Sequence, residues 1–117
     1  MIRASLAVIA LALPVTAQEA SLAEGATIRV LDKVTGQLED VDMSVGQTAR
    51  VGQVDIGLEE CRYPTGNPAG DAFAFLAIED RTTNSEIFAG WMVASSPALN
   101  ALDHPRIDVW VIRCRTS

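Results

Sequence analysis

Apolar residues recur at every second position through much of this chain, and that period restricts its fold more than any other feature. Ile28 and Val30 alternate with Thr27 and Arg29, and Val54, Ile56 and Leu58 alternate with Asp55, Gly57 and Glu59. Successive side chains of an extended strand point to opposite faces, so such a run buries one face and wets the other. Turn chemistry punctuates the runs. Val34-Thr35-Gly36-Gln37 and Ser44-Val45-Gly46-Gln47 each carry a glycine where the chain must reverse. Strands are predicted from Ala26, then at Leu38 to Met43, Thr48 to Val51, from Val54, at Ala72 to Ile78, Glu86 to Ala94 and Ile107 to Cys114. Ala72 to Ile78 is apolar on both faces, which suits a central strand, and so is Glu86 to Ala94. The class is all-β: a small antiparallel β-sandwich or barrel of about seven strands with one short helical turn.

Three local features refine this. Glu60 stands where the next apolar residue of the Val54 run belongs, and Cys61 and Tyr63 fall on the opposite parity, so a bulge or strand end is expected near Glu59-Glu60. Tyr63 to Gly70 reads YPTGNPAG, too rich in proline and glycine for a ladder, and is expected as a long irregular loop. Ser96 can cap and Pro97 can open a helix of one or two turns over Ser95 to Leu102, ended by Asp103-His104-Pro105. In the last strand, Trp110, Ile112 and Cys114 are expected on one face.

Residues 1–17 read as a removable export signal. Met1-Ile2-Arg3 is a short basic start, Ala4 to Leu13 is an apolar run, and Val15-Thr16-Ala17 offers small residues for cleavage after Ala17. The run is about half of the roughly 20 residues that a membrane span needs. The residue just after the cleavage point is Gln18 and not cysteine, so no lipid anchor is expected, and no later segment approaches spanning length, so no transmembrane anchor is expected after processing. The product is expected in the periplasm, with Gln18 to Gly25 as a flexible lead-in and residues 26–117 as one β domain.

Loss of Arg3 lowers Lys+Arg from 9 to 8 against 15 acids, taking the formal net charge from −6 to −7. Nucleic acid and anionic membrane surfaces would repel such a domain, and a basic partner would attract it. Two cysteines in an exported domain read as one disulfide, Cys61 to Cys114. At 53 positions apart they lack the close spacing of a redox pair, and with one histidine they lack the further ligands of a metal site.

Four segments carry a wider resemblance: IRVLDKVTG (Ile28 to Gly36), CRYPTGNPAGDAFAFLAI (Cys61 to Ile78), GWMVASSPALNALDHPR (Gly90 to Arg106) and DVWVIRC (Asp108 to Cys114). Across Ala26 to Cys114 the chain resembles the DUF2155 family of bacterial proteins, found mainly in Alphaproteobacteria. The resemblance implies an exported protein and supplies no activity and no catalytic residues. It also implies a link to respiratory complex I, through genes lying beside an accessory subunit of that complex.

Chemistry-bearing sets are thin. His104 with Asp103 and Ser95 or Ser96 can be written as a Ser-His-Asp set, but a triad is defined by geometry and not by sequence proximity, and a DHP turn is the plainer reading. Asp71, Asp103, His104 and Asp108 are too few and too scattered for zinc or calcium. No catalytic residue, metal or cofactor is expected. Trp91 and Trp110 are expected in the core, yet so small a domain cannot bury both faces of every strand. An exposed apolar patch is therefore expected, rimmed by Arg62 to Asp71 and Ser95 to Arg106, with Arg62, Tyr63, Trp91, Met92, His104 and Arg106 as its candidate partner surface.

The function expected from these features is a non-catalytic periplasmic binding or accessory module for an envelope protein or membrane complex, complex I being one version. The alternatives are an inhibitor of a basic envelope enzyme such as a lysozyme, a hydrolase using His104, and small-ligand binding by stacking on Tyr63.

Overall fold

In the computed structural model, which describes residues 19–116, every regular element is a strand. The expected signal peptide falls outside the described residues. The strands are β1 (Ala20–Leu22), β2 (Gly25–Asp32), β3 (Leu38–Ser44), β4 (Thr48–Val51), β5 (Val54–Pro64), β6 (Phe73–Asp80), β7 (Ser85–Val93) and β8 (Ile107–Arg115). They form two antiparallel sheets. The larger has the order β1-β5-β6-β7, with β4 also on β5, and the smaller has the order β3-β2-β8. At 11 residues β5 is long enough to pair with β4 at its start and β1 at its end, while β6 runs along its other side.

The inward faces follow the alternation. Ile28 and Val30 of β2, Ile56 and Leu58 of β5, Leu76 and Ile78 of β6, and Val109 and Val111 of β8 meet in one core. The expected bulge is present: β5 pairs Leu58 with Leu76 and then Glu60 with Phe75, leaving Glu59 as the extra residue. That single insertion flips the strand, so that Cys61 joins Leu58 on the buried side.

Two corners close one side of the sandwich. Between β1 and β2 the chain leaves one sheet and enters the other, with Ala23 N–H donating to Cys61 O at 2.8 Å and Glu24 N–H to Arg115 O at 3.0 Å. Between β3 and β4 it does the same through the Val45-Gly46 turn, where Gly46 takes a φ of 89° that favours glycine. The disulfide Cys61–Cys114 joins the sheets beside the first corner, with a Cα separation of 5.8 Å.

The structure corrects four expectations. Residues Ala20 to Leu22 are an eighth strand and not a flexible lead-in, because the end of β5 offers them a free edge in register from Ala20 with Pro64 to Leu22 with Arg62. Ser95 to Leu102 makes one hydrogen-bonded turn, Leu99 N–H to Ser96 O at 3.0 Å, and no helix. Leu102 is instead drawn into the core, and so short a segment cannot repay helix nucleation. In β8, Cys114 faces the core with Val109 and Val111, not with Trp110 and Ile112. A second bulge causes this: Thr27 pairs with Arg113 and Ile28 with Val111, so Ile112 is the extra residue. Finally, Tyr63 and Pro64, expected to open the irregular loop, are the last two residues of β5, because β1 pairs with them.

Gly25 sits at the first corner, and a Cβ built there would overlap the carbonyl oxygen of Met43 on β3. The colliding atom is backbone and cannot swing away. Gly25→Ala is therefore expected to lower stability by about 2 kcal/mol, the scale of overpacking in a tight site. Chemical denaturation checks it, and an unchanged midpoint would show that the corner can open.

Candidate functional site

The outer face of the larger sheet is built row by row from its registers. Leu22, Arg62, Phe73 and Val93 lie side by side across β1, β5, β6 and β7. Glu60, Phe75 and Trp91 form the next row. Thr48, Gly57, Ala77 and Ala89 follow, then Arg50, Asp55, Glu79 and Glu86. Side chains of one face recur every second residue, so these rows share a surface.

Apart from the charged pair Arg62 and Glu60, the first two rows are apolar and only partly covered. Trp91 is 38% exposed and Leu22 is 67% exposed, while Phe73, Phe75 and Val93 are half-buried. Phe75 meets Trp91 edge-on, with ring centroids 5.4 Å apart. The Arg62 guanidinium lies 5.5 Å from the Trp91 ring centroid, a cation–π distance. Its other partner is the Glu60 carboxylate, at 2.7 Å. The indole is thus held between an aromatic edge and a cation, with its remaining surface toward solvent. The third row has almost no side chain, which leaves a depression of about 340 Å³ bordered by Thr48, Leu58, Glu59, Glu79 and Glu86.

A second cluster lies inside the fold, around His104. Nδ1 accepts the backbone N–H groups of Arg106 and Ile107, each at 3.0 Å. These two bonds assign the neutral ring its proton on Nε2, which faces Asp80 Oδ2 at 3.0 Å. Asp80 Oδ1 accepts the Thr82 hydroxyl at 2.6 Å and the Thr82 N–H at 2.9 Å. Hydrogen bonds from Thr82 first, and from His104 next, hold the Asp80 carboxyl down at about 2. The same loop is tied to the β2–β3 hairpin: Lys33 Nζ donates to His104 O at 2.6 Å, and Arg106 pairs with Asp32 at 2.9 Å. His104 thereby fastens the β7–β8 crossover to both sheets.

The candidate surface residues separate accordingly. Arg62 and Trp91 do meet on an exposed face. Tyr63, next along β5, is half-buried and packs against the core. Met92 is buried, because it alternates with Trp91 and points inward beside Ala74. His104 is buried too, 7% exposed, because both ring nitrogens serve the fold. Neither belongs to a partner surface. Arg106 is exposed, but its ion pair with Asp32 places it away from Trp91.

The Ser-His-Asp set does not assemble. Ser95 Oγ donates to Asp71 Oδ2 at 2.6 Å, and the carboxylate on His104 is Asp80, not Asp103. Burial pushes the Asp71 carboxyl up, and bonds from Ser95 and Ala72 N–H outweigh it, so the net direction is down. Among the described residues no three His, Cys, Asp or Glu side chains converge as a metal set. Sequence reasoning missed Leu22, because the short β1 shows no periodicity, and Asp80. The Asp80-x-Thr82 spacing was the available signal for a carboxylate capping its own turn.

Fold and site define a small disulfide-tied β-sandwich with an exposed aromatic sheet face. The chain belongs to the family described as "Uncharacterized protein conserved in bacteria (DUF2155)", whose model matches residues 26–114. It is 26% identical over 90 residues to an uncharacterised protein of Rickettsia prowazekii (strain Madrid E), covering 74% of this chain and 58% of that protein. The chain thus spans little more than half the length of that relative. No solved structure gives a significant match.

Proposed function

We propose that this protein is a non-catalytic binding module of the bacterial periplasm, which docks a protein of the envelope through the outer face of its larger sheet. The observation that carries the reading is the apolar stripe of Leu22, Phe73, Phe75, Trp91 and Val93, exposed at Leu22 and Trp91 and half-buried between them, on a domain that already has a separate core. An indole left 38% exposed on a sheet face costs solubility unless a partner covers it. Aromatic anchors beside an arginine are the common centre of protein interfaces. The expected export signal of residues 1–17 supports a partner in the envelope, and a membrane complex such as respiratory complex I is one version of the proposal.

The test is a crosslinked pull-down of the tagged, processed protein from native envelope, run beside Trp91→Asp. The expected result is a partner recovered in fixed proportion with the wild type and lost with the variant, while the two proteins unfold at similar denaturant concentrations. Recovery of the same proteins by both would overturn the reading.

A further inference from the structure

We infer that the docking segment of the partner is basic at one end and apolar at the other. The inference rests on the reading just given and follows from the charge of the same face. Arg62 is taken by Glu60, and Arg50 and Arg81 both lie on Asp55. Glu59, Glu79 and Glu86 have no ion pair among the described residues. All three border the depression floored by Gly57 and Ala77. Glu79 and Glu86 are direct cross-strand neighbours, and like charges so placed repel. The smaller sheet shows no such excess on its outer face, where Arg29 pairs with Asp40 at 2.7 Å.

The face is therefore graded: aromatic at the β1 end, nearly bare in the middle, and negative at the far end. Phe75 and Glu79 are four residues apart on β6, which is about 14 Å along a strand. A partner helix lying along the strands spans that distance in about nine residues. Such a segment would set an apolar side chain on Phe75 and Trp91 and bring Lys or Arg over Glu79 and Glu86. The bare row lets its backbone approach the sheet. An acidic segment or an anionic lipid surface would meet unpaired carboxylates instead, and a second copy of this chain would bring the same negative row against itself.

The experiment places a photo-crosslinking amino acid at Ala89, in the bare row of the full chain, irradiates native envelope, and sequences the attached peptide by mass spectrometry. The expected product is a protein segment with apolar residues about nine positions from Lys or Arg. Its yield is expected to fall at least tenfold in the Glu79→Gln, Glu86→Gln double variant and in high salt. A crosslinked acidic peptide, a phospholipid, a second copy of this chain, or an undiminished yield from the double variant would each overturn the inference. So would no product from Ala89 while Trp91→Asp still loses the partner, which leaves the docking reading standing. Loss of Trp91 dependence as well would remove both.

Discussion

Replacing Cys61 or Cys114 by alanine is expected to lower the stability of the domain by about 4 kcal/mol and its Tm by roughly 20 °C. The figure follows from the loop that the bond closes, 53 positions, whose closure removes that much conformational freedom from the unfolded chain in the entropy model. The effect should not be softened by the native contacts that remain. The two sheets meet here chiefly through the β1–β2 corner, where single backbone bonds from Ala23 and Glu24 reach one sheet each. Both sulfurs are buried, so the oxidised native state should resist reductant until it unfolds. Denaturant midpoints of the wild type, Cys61→Ala and Cys114→Ala, with and without dithiothreitol, check this. The variants should match one another and should not respond to the reductant. A loss below about 1 kcal/mol would mean that the shared core and the two corners hold the sheets in place without the bond.

The parts of this fold that were legible are those in which one residue's chemistry decides the outcome. Gly36 and Gly46 take positive φ where turns were expected. The Glu59 bulge was visible because a polar residue interrupted an otherwise clean alternation. The bulge at Ile112 was not visible, because the residue inserted is itself apolar and breaks no pattern. The same limit applied to β1, whose three residues become a strand only because β5 outruns β4. At the candidate site, Arg62 and Trp91 were both nameable, but their meeting depends on the register that sets Phe73 against Val93. The role of His104 was hidden for a related reason. Its carboxylate partner comes from the end of β6, 24 residues earlier, and the local DHP sequence points to the wrong aspartate.

His104→Ala is expected to cost about 3 kcal/mol, since it strands the buried N–H groups of Arg106 and Ile107 and removes a partner from Asp80. His104→Asn should recover part of the loss, because its carbonyl can accept from the same N–H groups. A catalytic histidine would behave the opposite way, with activity lost and stability kept. The pH dependence separates the two halves of the pair. Asp80 is held at about 2, below the value near 3.9 that an unfolded aspartate takes. Its contribution is then complete above about pH 4 and disappears as pH falls through about 2. The stability gap between the wild type and Asp80→Asn should accordingly be flat from pH 6 to 4 and close between 4 and 2, read by denaturant unfolding at each pH. A gap that stayed constant down to pH 2 would mean that Asp80 binds its proton equally well in the folded and the unfolded chain, so that the bonds from Thr82 and His104 do not favour its ionised form.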